Sequence, residues 1–131
     1  MIDPNAAFSI AGLVALLAWL VLLVSLFAPR LRERTWLATG LLIPGAIAVA
    51  YVILIATGIG EVGGTDFGSI AEVRRVFAND SALAAGWLHY LAFDMVVGTW
   101  IARARTARAI HPLLLLPCLV LAFLSGPSGL L

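Results

Sequence analysis

The sequence predicts an all-α integral membrane protein: a bundle of four transmembrane helices, with a short interfacial helix in the loop between the second and third. Three observations predict it. Of the 131 residues, 63% are hydrophobic and 11% charged, whereas soluble domains carry about a quarter charged residues. Four stretches, residues 6–28, 35–60, 81–102 and 112–131, hold no basic residue and almost no acidic one. Each reaches the roughly 20 residues that a helix needs to cross about 30 Å of hydrocarbon. Runs such as Leu13 to Val24 are apolar on every side, whereas the strands of a membrane β-barrel alternate. Only short loops are left over, so residues 1–131 form one domain.

The first stretch differs from a cleavable signal. Ahead of it stand only Met1 to Asn5 with one acidic residue, and its apolar core exceeds the roughly 7 to 15 residues of a signal peptide. It is expected to stay as a span. No Ser- and Arg-rich transit segment precedes it, which points to a bacterial inner membrane or to a mature organellar protein. In the second stretch Pro44 and Gly45 break the apolar run, and Pro117 does the same in the fourth. Each proline removes one donor and frees the carbonyl four residues earlier, at Gly40 and Leu113. Bends of this kind can open a ligand-sized gap or serve packing alone, and both readings stay open.

Charge sets the orientation. Arg30, Arg32 and Arg34 lie between the first two stretches, and Arg103, Arg105 and Arg108 between the last two. The positive-inside rule therefore puts both short loops in the cytoplasm and both termini on the other side. The longer connection holds Glu61, Asp66, Glu72 and Asp80 against Arg74 and Arg75, with Gly58, Gly60, Gly63, Gly64 and Gly68 in its first half. Ser69 and Glu72 have the spacing of a capping box, and Ile70, Val73 and Phe77 recur at helical spacing opposite the two arginines. This predicts a helix over 70–79. It can lie flat at the lipid boundary, and a solvated connector fits the same pattern.

The charge count also excludes. Eight basic residues and a net charge of +1 do not make a phosphate-neutralising surface, so nucleic acid is not a partner. A lone cysteine, Cys118, is no basis for a metal site. A bis-histidine haem needs both imidazoles at one depth, but His89 lies mid-stretch while His111 precedes Pro112 at an edge.

The third stretch carries the functional signal. Its midpoint is near Ala92, which places Asp94 about 3 Å and His89 about 4.5 Å from the centre at about 1.5 Å per residue. An ionised carboxylate there costs at least about 2.5 kcal/mol, and an ionisable group at that depth is a functional candidate by default. Gly86, Tyr90, Asp94 and Gly98 follow at four-residue steps and form one stripe. The two glycines would let a backbone or a flat ligand approach Tyr90 and Asp94. His89 is five positions from Asp94, about 140° around the helix, so the two face different neighbours or flank something between them. Three readings follow: polar groups that only lock packing, a general acid beside a proton-accepting imidazole, and stations on a proton relay. Beyond this stretch the spans offer a relay little more than Ser9, Ser25, Thr39, Tyr51, Thr57 and Ser125.

The block Gly86-Trp87-Leu-His89-Tyr90-Leu-Ala-Phe93-Asp94, followed by Gly98 and Trp100-Ile101, resembles the abscisic-acid-deficient-four-like family. The closing Gly126-Pro127-Ser-Gly129-Leu130-Leu131 and the glycine-rich stretch before Phe67-Gly68-Ser69 resemble it too. The match departs at Met95-Val96-Val97, where plant members tend to have Leu-Phe-Val. Plant members of the family are needed to make neoxanthin from violaxanthin, and the resemblance implies a small four-span protein with a carotenoid or other isoprenoid lipid as its ligand.

Conversion of a carotenoid 5,6-epoxide to an allene is an isomerisation and calls for no redox cofactor. On that chemistry Asp94 is the expected acid, Tyr90 positions the oxygen and His89 is the base. Trp87, Phe93 and Trp100 pack the end group beside Gly86, Gly98, Gly126 and Pro127. The competing expectation is a non-catalytic pigment-binding or accessory subunit of a larger membrane complex. Four thin helices enclose little volume for a carotenoid, and a homo-oligomer would enlarge it.

Overall fold

Helices follow one another along the whole of the computed structural model, which describes residues 2–63 and 67–130 and the side chains of all of these except 105–107. Gly64 and Asp66 of the acidic loop, the Arg105 side chain and the terminal Leu131 lie outside the described residues. Among the described residues there is no strand.

Helix α1 (Pro4–Phe27) starts where Asp3 accepts the N–H groups of Asn5 and Ala6, each at 3.2 Å, and where Pro4 has no N–H to leave unpaired. Its buried residues, Ala11, Ala15, Ala18, Trp19, Leu22, Ser25 and Leu26, recur at helical spacing in one stripe. Leu13, Leu17, Leu20 and Val24 stay exposed. Small residues at the contacts and large apolar ones outside suit a lipid surround, where close backbone approach holds helices together. At the far end Arg32 donates to the carbonyls of Ser25 at 3.2 Å and Leu26 at 2.7 Å. One loop arginine is thus a cap for the α1 C-terminus, where the dipole favours a cation.

The second stretch is one continuous helical path in two parts, α2 (Arg32–Leu37) and α3 (Ile43–Val62), joined by a π turn over Ala38–Leu42. The N–H of Ile43 reaches back five residues to the carbonyl of Ala38. The break predicted from Pro44 is therefore absorbed as a π turn just before the proline, a common remedy when one ladder bond is missing. Helix α3 stops at Gly63, whose φ of +77° only glycine adopts readily.

Helix α4 (Ile70–Phe77) opens on the predicted cap, with Ser69 Oγ accepting the N–H of Glu72 at 3.2 Å. It is two residues shorter than the predicted 70–79, and its buried anchor is Val76 rather than Ile70, which is 80% exposed. Arg75 pairs with Glu72 at 2.8 Å and donates to the carbonyl of Val62 at 3.3 Å, which ties α4 to the end of α3. Asn79 then caps the next helix by accepting the N–H of Ala82 at 3.0 Å, while its amide donates to Glu61 at 2.6 Å.

Helix α5 (Asp80–Ala107) is longer than the predicted 81–102 and packs against α3, α1, α6 and α4. It supplies Leu88 and Met95 to a core completed by Leu22, Leu26, Leu54 and Leu119. Helix α6 (Pro112–Ser125) begins on His111, whose Nδ1 accepts the N–H of Leu113. Its α-helical course ends earlier than the predicted 131: Gly126, at φ +55°, turns the chain into a 3-10 segment over Gly126–Leu130.

Among the described residues three stretches are long and apolar enough to cross a membrane: Pro4–Phe27, Pro29–Val62 and Pro112–Leu130. Helix α5 has the length, and His89, Tyr90 and Asp94 dilute its apolar character.

Candidate functional site

Asp94 stands on the face of α5 that meets α1 and α6. A cavity of about 330 Å³ opens there, walled by Gly12, Ala15 and Trp19 of α1, by Trp87, Tyr90, Leu91 and Asp94 of α5, and by Phe123 and Leu124 of α6. Asp94 and Tyr90 are the two wall residues with a proton to transfer. The Tyr90 hydroxyl donates to the carbonyl of Phe123 at 3.3 Å, linking α5 to α6. Asp94 Oδ2 is buried with no hydrogen-bond partner. An unpaired carboxyl oxygen away from water costs free energy that packing alone does not return. Gly126 lies beside the other oxygen; a Cβ built there would come within 3.1 Å of Asp94 Oδ1. A glycine is needed at that place for its φ and for the room it leaves.

Trp87 is also part of the wall of a second pocket, about 380 Å³, lined by Pro4, Phe8, Phe77, Asp80 and Gly86 among others. The rings of Phe8 and Trp87 lie 5.3 Å apart and those of Trp87 and Tyr90 5.4 Å, while Trp19 and Phe123 meet edge-on at 5.5 Å. Trp87 thus stands between two aromatic-lined pockets, one at the end of the bundle that carries Asp80 and one that carries the Asp94 carboxyl. Each volume lies within the range of about 300–1,000 Å³ usual for small-molecule sites. Either is large enough for one cyclic end group and too small for a whole carotenoid.

The predicted site residues divide between faces. Asp94, Tyr90, Trp87 and Gly126 come together. His89 sits on another side of α5, exposed, with its ring 4.6 Å from Phe93 and 5.6 Å from Tyr51 of α3. Phe93 and Trp100 are each 62% exposed, and Pro127 is exposed as well. The predicted room beside Gly86 and Gly98 is filled from within the chain, because a Cβ on Gly86 would strike the Phe77 ring and one on Gly98 the indole of Trp19. The sequence reading misses Trp19, Phe123 and Phe8. For Trp19 a signal exists, since it shares a helical stripe with Ala11, Ala15 and Ala18.

The other interior hydroxyls have partners close at hand. Ser25 donates to Leu22, Thr57 to Ile53 and Ser125 to Leu121, each within its own helix. Thr99 of α5 donates to Thr39 at 2.7 Å, and Thr39 donates in turn to the carbonyl of Thr35 at 2.9 Å. None of these bonds leads to Asp94.

Comparison with known proteins gives one family: the ABA DEFICIENT 4-like model matches residues 6–131. No curated protein and no solved structure gives a significant match.

Proposed function

This chain belongs to the ABA DEFICIENT 4-like family, associated with carotenoid- and xanthophyll-related function, and from that premise we propose that it isomerises the cyclic end group of an epoxy-carotenoid, in the manner of violaxanthin to neoxanthin. In this reading α1, the α2–α3 path, α5 and α6 are four spans, and α4 lies in the interface with Ile70 toward lipid. The arginine-bearing loops face the cytoplasm of a bacterial inner membrane, and both termini lie outside. A substrate end group enters from the Asp80 side as Trp87 gives way and lodges against Trp19, Tyr90 and Phe123, with its polyene trailing outward.

The observation that carries the proposal is the Asp94 carboxyl, with one oxygen unpaired, on the wall of an aromatic cavity. Asp94 delivers a proton to the epoxide oxygen as one ring C–O bond breaks, which leaves a tertiary alcohol and a cation spread over the polyene. The carboxylate so formed removes the proton from the adjacent polyene carbon, the electron pair closes the allene, and Asp94 ends as it began. Gain and loss of one proton balance, and no oxidant or reductant takes part. Tyr90 positions the oxygen, and the faces of Trp87 and Tyr90 stabilise the cation. With His89 outside the cavity wall, one carboxyl serves as acid and then as base.

The test is the carotenoid profile of a violaxanthin-accumulating bacterial host, by chromatography and mass, with and without the protein. The expected result is a new isobaric product that Asp94→Asn removes while pigment still co-purifies. An unchanged profile overturns the isomerase. A second reading, a pigment-binding accessory subunit, is favoured by the exposed Phe93 and Trp100 on the far face of α5; bound pigment with no new product selects it.

A further inference from the structure

A third opening lies at the end of the bundle that carries the loop arginines, well apart from Asp94. It is a groove of about 600 Å³ between the α2–α3 path and α5, lined by Trp36, Gly40, Val96, Thr99, Trp100 and Arg103. Two of its wall residues carry donors with no acceptor among the described residues. The Arg103 guanidinium stands over the Trp36 ring, 5.5 Å from its centroid, and makes no ion pair among the described residues. The indole Nε1 of that same Trp36 is buried with no hydrogen-bond partner. Arg32 is already engaged on the α1 C-terminus and the Thr99 hydroxyl on Thr39. The one acidic residue in the two flanking loops, Glu33, forms no ion pair with Arg103.

We infer that this groove holds an anionic phospholipid, with its phosphate set against Arg103 and the Trp36 N–H. The chemistry is that of a phosphate between a stacked guanidinium and an indole donor. The surroundings select a lipid as the source of that phosphate. Trp36 and Trp100 both line the groove, and tryptophans are enriched at bilayer interfaces; Val96 and the exposed Trp100 offer an acyl chain an apolar wall, and basic pockets between spanning helices favour acidic headgroups. The inference is independent of the chemistry at Asp94.

Native mass spectrometry of the whole protein, released from micelles doped with phosphatidylglycerol or phosphatidylcholine, tests it. The wild type is expected to retain phosphatidylglycerol in preference, and Arg103→Gln to lose about fivefold of that retention. Arg34→Gln, which removes the same charge outside the groove, leaves retention unchanged. Trp36→Phe keeps the ring beneath Arg103 but not the N–H, and should lose less than Arg103→Gln does. Equal loss in Arg34→Gln overturns the site in favour of diffuse charge, and full retention in Arg103→Gln overturns it outright. Displacement of the lipid by millimolar inorganic phosphate would make it a free-phosphate site and overturn the lipid assignment.

Discussion

On one face α5 presents Trp87, Tyr90 and Asp94 to a cavity closed by α1 and α6; on another it presents His89, Phe93 and Trp100 outward, beside α3 and α2. Both faces mix aromatic rings with ionisable groups from the same short block of sequence, and the contrast lies between Asp94 and His89. These two differ in what surrounds them. Asp94 is half-buried, with an oxygen that no hydrogen bond satisfies, whereas His89 lies open between the rings of Phe93 and Tyr51. The four-residue step from Tyr90 to Asp94 keeps two groups on one wall, and the five-residue step from His89 to Asp94 separates two others. Spacing along one helix thus decides which side chains share a reaction space.

The comparison breaks most sharply at the two ionisable groups. Asp94→Asn is expected to lower turnover by about a hundredfold or more, the scale of one lost general acid–base group, whereas His89→Gln leaves it within about twofold; product yield per unit of folded protein reads both. Equal losses would return His89 to the reaction. Gly126→Ala sharpens the Asp94 side. It forces a residue with a Cβ to φ +55° and brings that atom against the carboxyl, at a cost of about 1–3 kcal/mol, measured by unfolding in detergent and seen again as reduced turnover.

Gly98→Ala pushes on Trp19 and should destabilise by about 1–3 kcal/mol through overpacking, with the cavity wall displaced. The smallest effect is expected on the far side of α5. Thr99→Val removes the bond to Thr39, worth about 0.6 kcal/mol in membrane bundles, and leaves turnover unchanged. A turnover loss in Thr99→Val would couple the two faces.

The helices and Asp94 were legible in the sequence for the same reason. Long apolar runs have one stable answer in lipid, and a carboxyl within such a run stands out against it. The stop at Gly63, the cap at Ser69 and the company of Tyr90 and Asp94 are all local and could be read. The rest depends on which side of a uniformly apolar helix meets its neighbour. Helix α1 is apolar all round, and although the small residues Ala11, Ala15 and Ala18 mark the side that carries Trp19, nothing in its local pattern says that this side meets Gly98. The anchoring of α4 by Val76, and the arrival of Phe123 beside Trp19, are likewise facts of packing between distant segments. Pro44 announces a break but not that a π turn absorbs it.

That π turn over Ala38–Leu42 has a consequence for the chain as a written string. A π turn accommodates one residue more than the α-helical course around it, and one residue corresponds to about 100° of rotation. Residues before it and after it are therefore in different angular phases along what looks like a single span. Deleting one residue between 38 and 42 would merge the two phases into one unbroken α-helix with the Trp36 and Leu54 sides keeping their faces, whereas the same deletion in the α-helical part on either side would turn one end against the other by about 100°. The π turn is thus the one place in this path where a residue can leave the string without rotating one end of the molecule against the other.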